Sequence, residues 1–135
     1  MIFNKQRKYF KKKLEGVQKM IWDLQFKREK TLVIREEIRQ EYDNLKAKLH
    51  NLDGQIKSQK ETPTMKQEEI ARLDDQKLIL DKDIERKLNL MKSLDLEVNG
   101  TKPTNEYPDG VDGVNQTLDS LRELQKMLRD YIKKI

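Results

Sequence analysis

"IRQEYDNLKAKLHNLDGQI", residues 38–56, places Ile38, Tyr42, Leu45, Leu49, Leu52 and Ile56 at alternating spacings of four and three. That is the apolar seam of a heptad repeat, the pattern of a helix that lays one narrow face along another helix. Followed toward the N-terminus, the same register passes through Arg35, Thr31 and Arg28. It turns apolar again at Leu24, Ile21, Val17, Leu14 and Phe10, and reaches Phe3 beyond a polar member at Arg7. One register held over about 55 residues predicts a helix about 80 Å long, because each residue adds about 1.5 Å. A helix of that length needs a partner along its seam.

The partner follows in the same chain. "KETPT", residues 60–64, combines a cap residue, Thr62, with Pro63 at the first helical position, where a missing N–H costs nothing. A second seam then runs through Ile70, Leu73, Leu80, Ile84, Met91, Leu94 and Val98, with Lys77 and Lys87 as its polar members. A connection this short implies an antiparallel hairpin of helices over about residues 4–60 and 63–98. Folding at residues 61 and 62 sets Leu52 near Ile70, Leu49 near Leu73, Tyr42 near Leu80 and Ile38 near Ile84. It also sets Arg35 against Lys87, a like-charge meeting that needs Glu36, Asp83 or a third chain to relieve it. Arg28, Arg35, Lys77 and Lys87 are therefore the expected register-setting polar residues of the seam.

"NGTKPTNEYPDGVDG", residues 99–113, is rich in Gly, Pro, Asn and Asp and reads as a flexible loop ending in an Asp112 helix cap. Its tail resembles part of a calcium loop, but Tyr107 stands where an oxygen ligand belongs and Gln116 where the closing Glu belongs, so no metal is expected. Residues 114–135 form a third helix with two overlapping apolar stripes. One runs through Val114, Leu118, Leu121, Leu128, Ile132 and Ile135, the other through Leu121, Leu124, Leu128, Tyr131 and Ile135. So broad a face contacts two neighbours more often than one. This helix either docks end-to-end after the second, on Phe10 to Leu24, or folds back into a short three-helix bundle.

The expected fold class is thus all-α: an elongated antiparallel coiled-coil hairpin over residues 1–98 and a short third C-terminal helix. Composition agrees, since 35% apolar residues against 39% charged is too little hydrophobic material for a thick core. Without cysteine, disulfide and thiol chemistry are excluded, and no stretch reads as a signal peptide or a membrane span. The expected setting is intracellular, soluble or assembly-associated, in the cytoplasm or inside a virus particle. Two sequons, at Asn99 and Asn115, read as accidents of a polar loop.

Catalytic chemistry finds little to work with. His50 is flanked by Leu49 and Asn51 and reads as a solvated surface histidine. Asp74, Asp75, Asp81 and Asp83 point around the circumference of a helix and read as a solvated face. The expectation is no enzyme, no cofactor, no metal and no small-molecule substrate.

Charge is the remaining clue. Residues 1–30 hold ten Lys or Arg against three Asp or Glu, whereas residues 61–98 hold seven against ten, so the basic end and the acidic helix are distinct features. Lys8, Lys11, Lys12 and Lys13 are the expected contacts for an anionic partner. The apolar face of Phe10, Leu14, Val17, Ile21 and Leu24, with Leu121, Leu128 and Ile132 of the third helix, supplies the expected protein-binding faces. With Trp22 and Phe26 just off the seam, the basic helix also suits an anionic membrane. The functional expectation is a structural or adaptor coiled coil acting as a rod or spacer in a larger assembly such as a virion, a secretion or motor apparatus or a cytoskeletal complex. Its partners would be other proteins or further copies of the chain; the alternative is a nucleic-acid-binding or packaging accessory that uses the basic N-terminal helix.

Overall fold

The computed structural model describes residues 2–61 and 67–135, with side chains from Asn4 onward. The described residues form three helices: α1 (Ile2–Lys60), α2 (Gln67–Asn99) and α3 (Val114–Lys134). The fold is all-α, and α1 and α2 pack on each other as a helical hairpin. α1 contains no proline, and its last turn carries Lys57 and Lys60 against the negative end of the helix dipole. α2 opens with Glu68 and Glu69, which favour the positive end. The expected cap at Thr62 and the helix start at Pro63 lie outside the described residues, and the Phe3 end of the seam lies outside the described side chains.

The chain divides into two compact units, Ile34–Ser93 and Met1–Val33 with Leu94–Ile135. In the first, the hairpin unit, Leu52, Ile56 and Leu73 form a buried cluster with Leu80 packed against it. Ile84 and Met91 are buried further along α2. The pairing register differs from a fold at residues 61 and 62. Lys77 pairs with Asp53 at 3.1 Å instead of lying beside Leu45, and Lys87 pairs with Glu41 instead of meeting Arg35. Leu73 shares its cluster with Ile56 as well as Leu52. Within Ile34–Ser93, α1 thus faces positions in α2 about one heptad beyond the expected ones. The reason is the repeat itself: a slip of about seven residues returns seam to seam, so the apolar pattern is satisfied equally in either register. The slip replaces the Arg35–Lys87 conflict with opposite-charge pairs, and the carboxylate that takes Lys87 is Glu41. Glu36 pairs with Arg39 and Asp83 with Arg86.

In the second, the terminal unit, α3 lies along the N-terminal part of α1. Val17 and Ile21 form a buried cluster with Val114 and Leu118, and Leu24, Leu121 and Leu128 pack against it. At the other end of the contact, Phe10 meets Tyr131 edge-to-face with ring centroids 4.8 Å apart. α1 and α3 are therefore antiparallel, and of the two routes open to the third helix, the one taken is docking on Phe10 to Leu24.

The connection between α2 and α3 is built by hydrogen bonds. Gly100, at φ 66°, ends α2 by donating its N–H to the Leu96 carbonyl at 2.8 Å, a left-handed C-terminal cap. Thr101 and Val111 then exchange N–H···O bonds of 2.8 and 3.2 Å and close the loop on itself. Tyr107, Pro108, Asp109 and Gly110 make a turn in which Gly110 N–H donates to the Tyr107 carbonyl at 3.0 Å. The expected Asp112 cap is corrected: the N-cap of α3 is Gly113, one residue later. The Gln116 side chain does the work from inside the helix, its Oε1 accepting from Gly113 N–H at 2.7 Å while its Nε2 donates to the Asn99 carbonyl at 2.6 Å. One amide thus ties the end of α2 to the start of α3.

Candidate functional site

Phe10, Leu14, Val17, Ile21 and Leu24 fall on one side of α1, and that side is covered by α3. Val17 and Ile21 are buried, the other three half-buried. From α3, Ile132 is buried and Leu121 and Leu128 pack against the cluster around Leu118. The two apolar faces expected to hold a protein partner thus meet each other within the terminal unit.

What α1 leaves uncovered is its opposite side. Trp22, Phe26 and Val33 are spaced four and seven residues apart, which puts them on one line of the helix, about half a turn from Val17, Ile21 and Leu24. They are 69%, 64% and 59% exposed. Sequence reading placed Trp22 and Phe26 as neighbours of the seam; their exposure shows them turned away from it. The informative signal was their own four-residue spacing, outside the heptad that dominates the rest of α1.

The same line carries charge toward the N-terminus. Arg7, Lys8, Lys11 and Lys12 lie together on one exposed patch with Asn4 and Glu15. Lys13 leaves the group, its ammonium 5.1 Å from the Tyr9 ring centroid on a different side of the helix. Three of the four lysines expected to contact an anion therefore lie side by side, with Arg7 beside them.

The seam-breaking cations have separate fates. Arg28 is half-buried in the terminal unit, and its Nε has no hydrogen-bond partner among the described residues. Arg35 is half-buried in the hairpin unit. Lys77 and Lys87 bridge to α1 through Asp53 and Glu41. The hydrogen bond that the Lys77 ammonium donates to Asp53, and the charge of that carboxylate, raise Lys77 above its ordinary value of 10.5, with Asp81 and Asp74 adding to the effect. The Arg39 guanidinium, hydrogen-bonded to Glu36 at 2.6 and 2.9 Å, holds that carboxyl below its ordinary 4.5.

These shifts fix the signs of a pH dependence. A lowered carboxyl contributes stability above pH 4.5 that is lost as pH falls through its folded value. A raised lysine contributes below pH 10.5 and is lost as pH climbs through its own. Urea midpoints measured across pH at low salt should fall at both ends, with Arg39→Gln flattening the acid arm and Asp53→Asn the alkaline arm. Both effects are small because all four groups are solvent-exposed, and added salt should shrink them further.

His50 is exposed, as are Asp74, Asp75 and Asp81, while Asp83 is half-exposed. Among the described residues no three His, Cys, Asp or Glu side chains converge as metal ligands, and no helix is long and apolar enough to cross a membrane. The hairpin unit carries open grooves along the α1–α2 contact, one lined by Leu52, Ile79 and Leu80, the other by Leu45 and Leu90 between charged rims. Grooves of this kind suit a helix or an extended chain better than an enclosed substrate. No family model, no curated protein and no solved structure matches the chain.

Proposed function

We propose that the protein is a non-enzymatic interaction module, a helical structural or adaptor component of a larger assembly, and that it holds a protein partner on the outer face of α1. The observation that carries this reading is the line of Trp22, Phe26 and Val33. These side chains stay in water although the inner seam of the same helix segment is covered within the chain. Aromatic anchors of this kind dominate the energetics of protein interfaces, and the lysines beyond them steer an acidic surface into place.

The test replaces Trp22 with a photo-crosslinking residue in the protein's own source. The expected result is a protein adduct, identified by mass spectrometry, that disappears when Phe26→Asp is added. Because Phe26 is exposed, that substitution should leave the urea midpoint within about 0.5 kcal/mol of the parent. A crosslink yield that Phe26→Asp does not change would refute the assignment.

The patch of Arg7, Lys8, Lys11 and Lys12 favours a second reading, in which this end grips nucleic acid. That reading requires affinity that falls steeply with salt and is lost when Lys8, Lys11 and Lys12 become Glu.

A further inference from the structure

A third side of the terminal unit carries a stripe of its own. On α1, Tyr9, Lys13, Gly16 and Met20 repeat at spacings of four, three and four; on α3, Ser120, Leu124, Met127 and Tyr131 do the same. Each set follows the heptad spacing beside the seam already used between α1 and α3, with Lys13, Gly16 and Ser120 as the members that are not large and apolar. The edge-to-face ring contacts from Tyr9 to Phe10 and from Phe10 to Tyr131 put the two sets on the same side of the unit. Tyr9, Met20, Leu124, Met127 and Tyr131 are all exposed. Among them Gly16 carries no side chain, and its position opens to solvent, with nothing within 4 Å of where its Cβ would be. A glycine in mid-helix costs stability, and close approach of another chain is one reason to keep it there.

We propose that this face binds a second copy of the chain, α1 of one copy lying antiparallel on α3 of the other, so that the two terminal units form an antiparallel four-helix bundle. Charge complementarity selects this occupant and this orientation. The edge of the stripe on α1 is basic, with Lys12 and Lys19. The edge on α3 is acidic, with Glu123 and Asp130. A two-fold axis parallel to the helices sets α1 over α3 twice, as an isologous interface requires. The Phe10–Tyr131 level then brings Lys12 to Asp130 of the second copy and Lys19 to Glu123 of the second copy. A perpendicular axis in the same plane would set the basic edge on itself. The knobs are the Leu124 and Met127 side chains, and the hole they enter is at Gly16 of the other copy. Neighbouring helices in the resulting bundle are all antiparallel, the common arrangement of four-helix bundles. This face lies beside the Trp22 line and shares Lys12 with its basic end, whereas Met127 and Asp130 belong to this face alone, so Met127→Asp tests the inference separately from the function proposed above.

The experiment is size exclusion with light scattering on the full chain at about 100 μM, a concentration that populates any dimer with a dissociation constant in the micromolar range. The expected mass is twice the 16.2 kDa of the chain. Met127→Asp, at a side chain 68% exposed in the single chain, should give a monomer of unchanged far-UV circular dichroism. Lys12→Glu should weaken the dimer at least tenfold, and Lys12→Glu with Asp130→Lys should restore it. Trp22→Asp should leave the dimer intact. A monomeric parent, a dimer indifferent to Met127→Asp, dissociation by Trp22→Asp, or a charge reversal that does not rescue would each overturn the proposal.

Discussion

Leu118→Ala is expected to cost about 3 kcal/mol and to unfold the terminal unit while the hairpin unit stays folded. Leu118 is 1% exposed and sits among Val17, Ile21 and Val114, so the substitution leaves a cavity in the cluster. The effect is large because α3 has little else to hold it. Of its 21 residues only Val114, Leu118 and Ile132 are buried. A helix of this length is marginal alone in water, so loss of docking is loss of the helix. Hydrogen exchange read by mass spectrometry locates the damage. Amides of α3 should exchange faster by two or more powers of ten, following from about 1.4 kcal/mol per factor of ten. Amides over Ile34–Ser93, a separate compact unit, should keep their protection. Equal loss of protection in both units would mean that the chain unfolds as one body and that the division carries no energetic weight.

The contrast between these units explains what could be read from the sequence. Helix type and extent were legible because Ile38 to Ile56 and Ile70 to Val98 repeat every seven residues without a competing period. The pairing register was not, because the same repeat makes a slip of about seven residues almost invisible to apolar matching. Only the Glu41–Lys87 and Asp53–Lys77 pairs distinguish the two, and exposed ion pairs contribute too little to be weighed by inspection. The α3 stripe through Val114, Leu118 and Leu121 announced a buried helix, yet its target was left open, since Phe10 to Leu24 and the hairpin present equivalent seams. The outer line of α1 was hidden for a different reason. Trp22 and Phe26 stand at the margin of the dominant seam in the heptad register, whereas their mutual spacing alone defines a second face. In the sequence Gln116 stands out only as the residue in place of a closing calcium ligand. Its spacing of three from Gly113 is that of a capping box, but glycine at the cap position, without a side-chain oxygen, concealed the pattern.

That cap leads to the second large effect. Gly100→Ala should destabilise the terminal unit by about 3 kcal/mol, whereas Gly54→Ala should stabilise the chain by about 0.5–1 kcal/mol, although the chemical change is identical. At Gly54 the backbone is helical and a methyl group meets nothing within 4 Å, so the substitution only removes conformational freedom from the unfolded chain. At Gly100 two costs add. The residue holds φ 66°, where a Cβ crowds its own backbone and costs about 1–2 kcal/mol. The same methyl group would overlap the Val111 carbonyl oxygen and lie 2.6 Å from the Gly113 nitrogen and 2.8 Å from Gln116 Nε2, which are held by the loop-closing and capping bonds. These atoms cannot retreat without breaking the Thr101–Val111 bridge or the Gln116 tie to Asn99, which adds about 1–3 kcal/mol. Urea midpoints of the two variants should therefore move in opposite directions. Exchange of the Gly113 amide, protected by Gln116, should rise in Gly100→Ala and stay unchanged in Gly54→Ala. If Gly100→Ala were as stable as the parent, the left-handed cap and the closed loop would not be what positions α3, and its placement on α1 would rest on the Leu118 cluster alone.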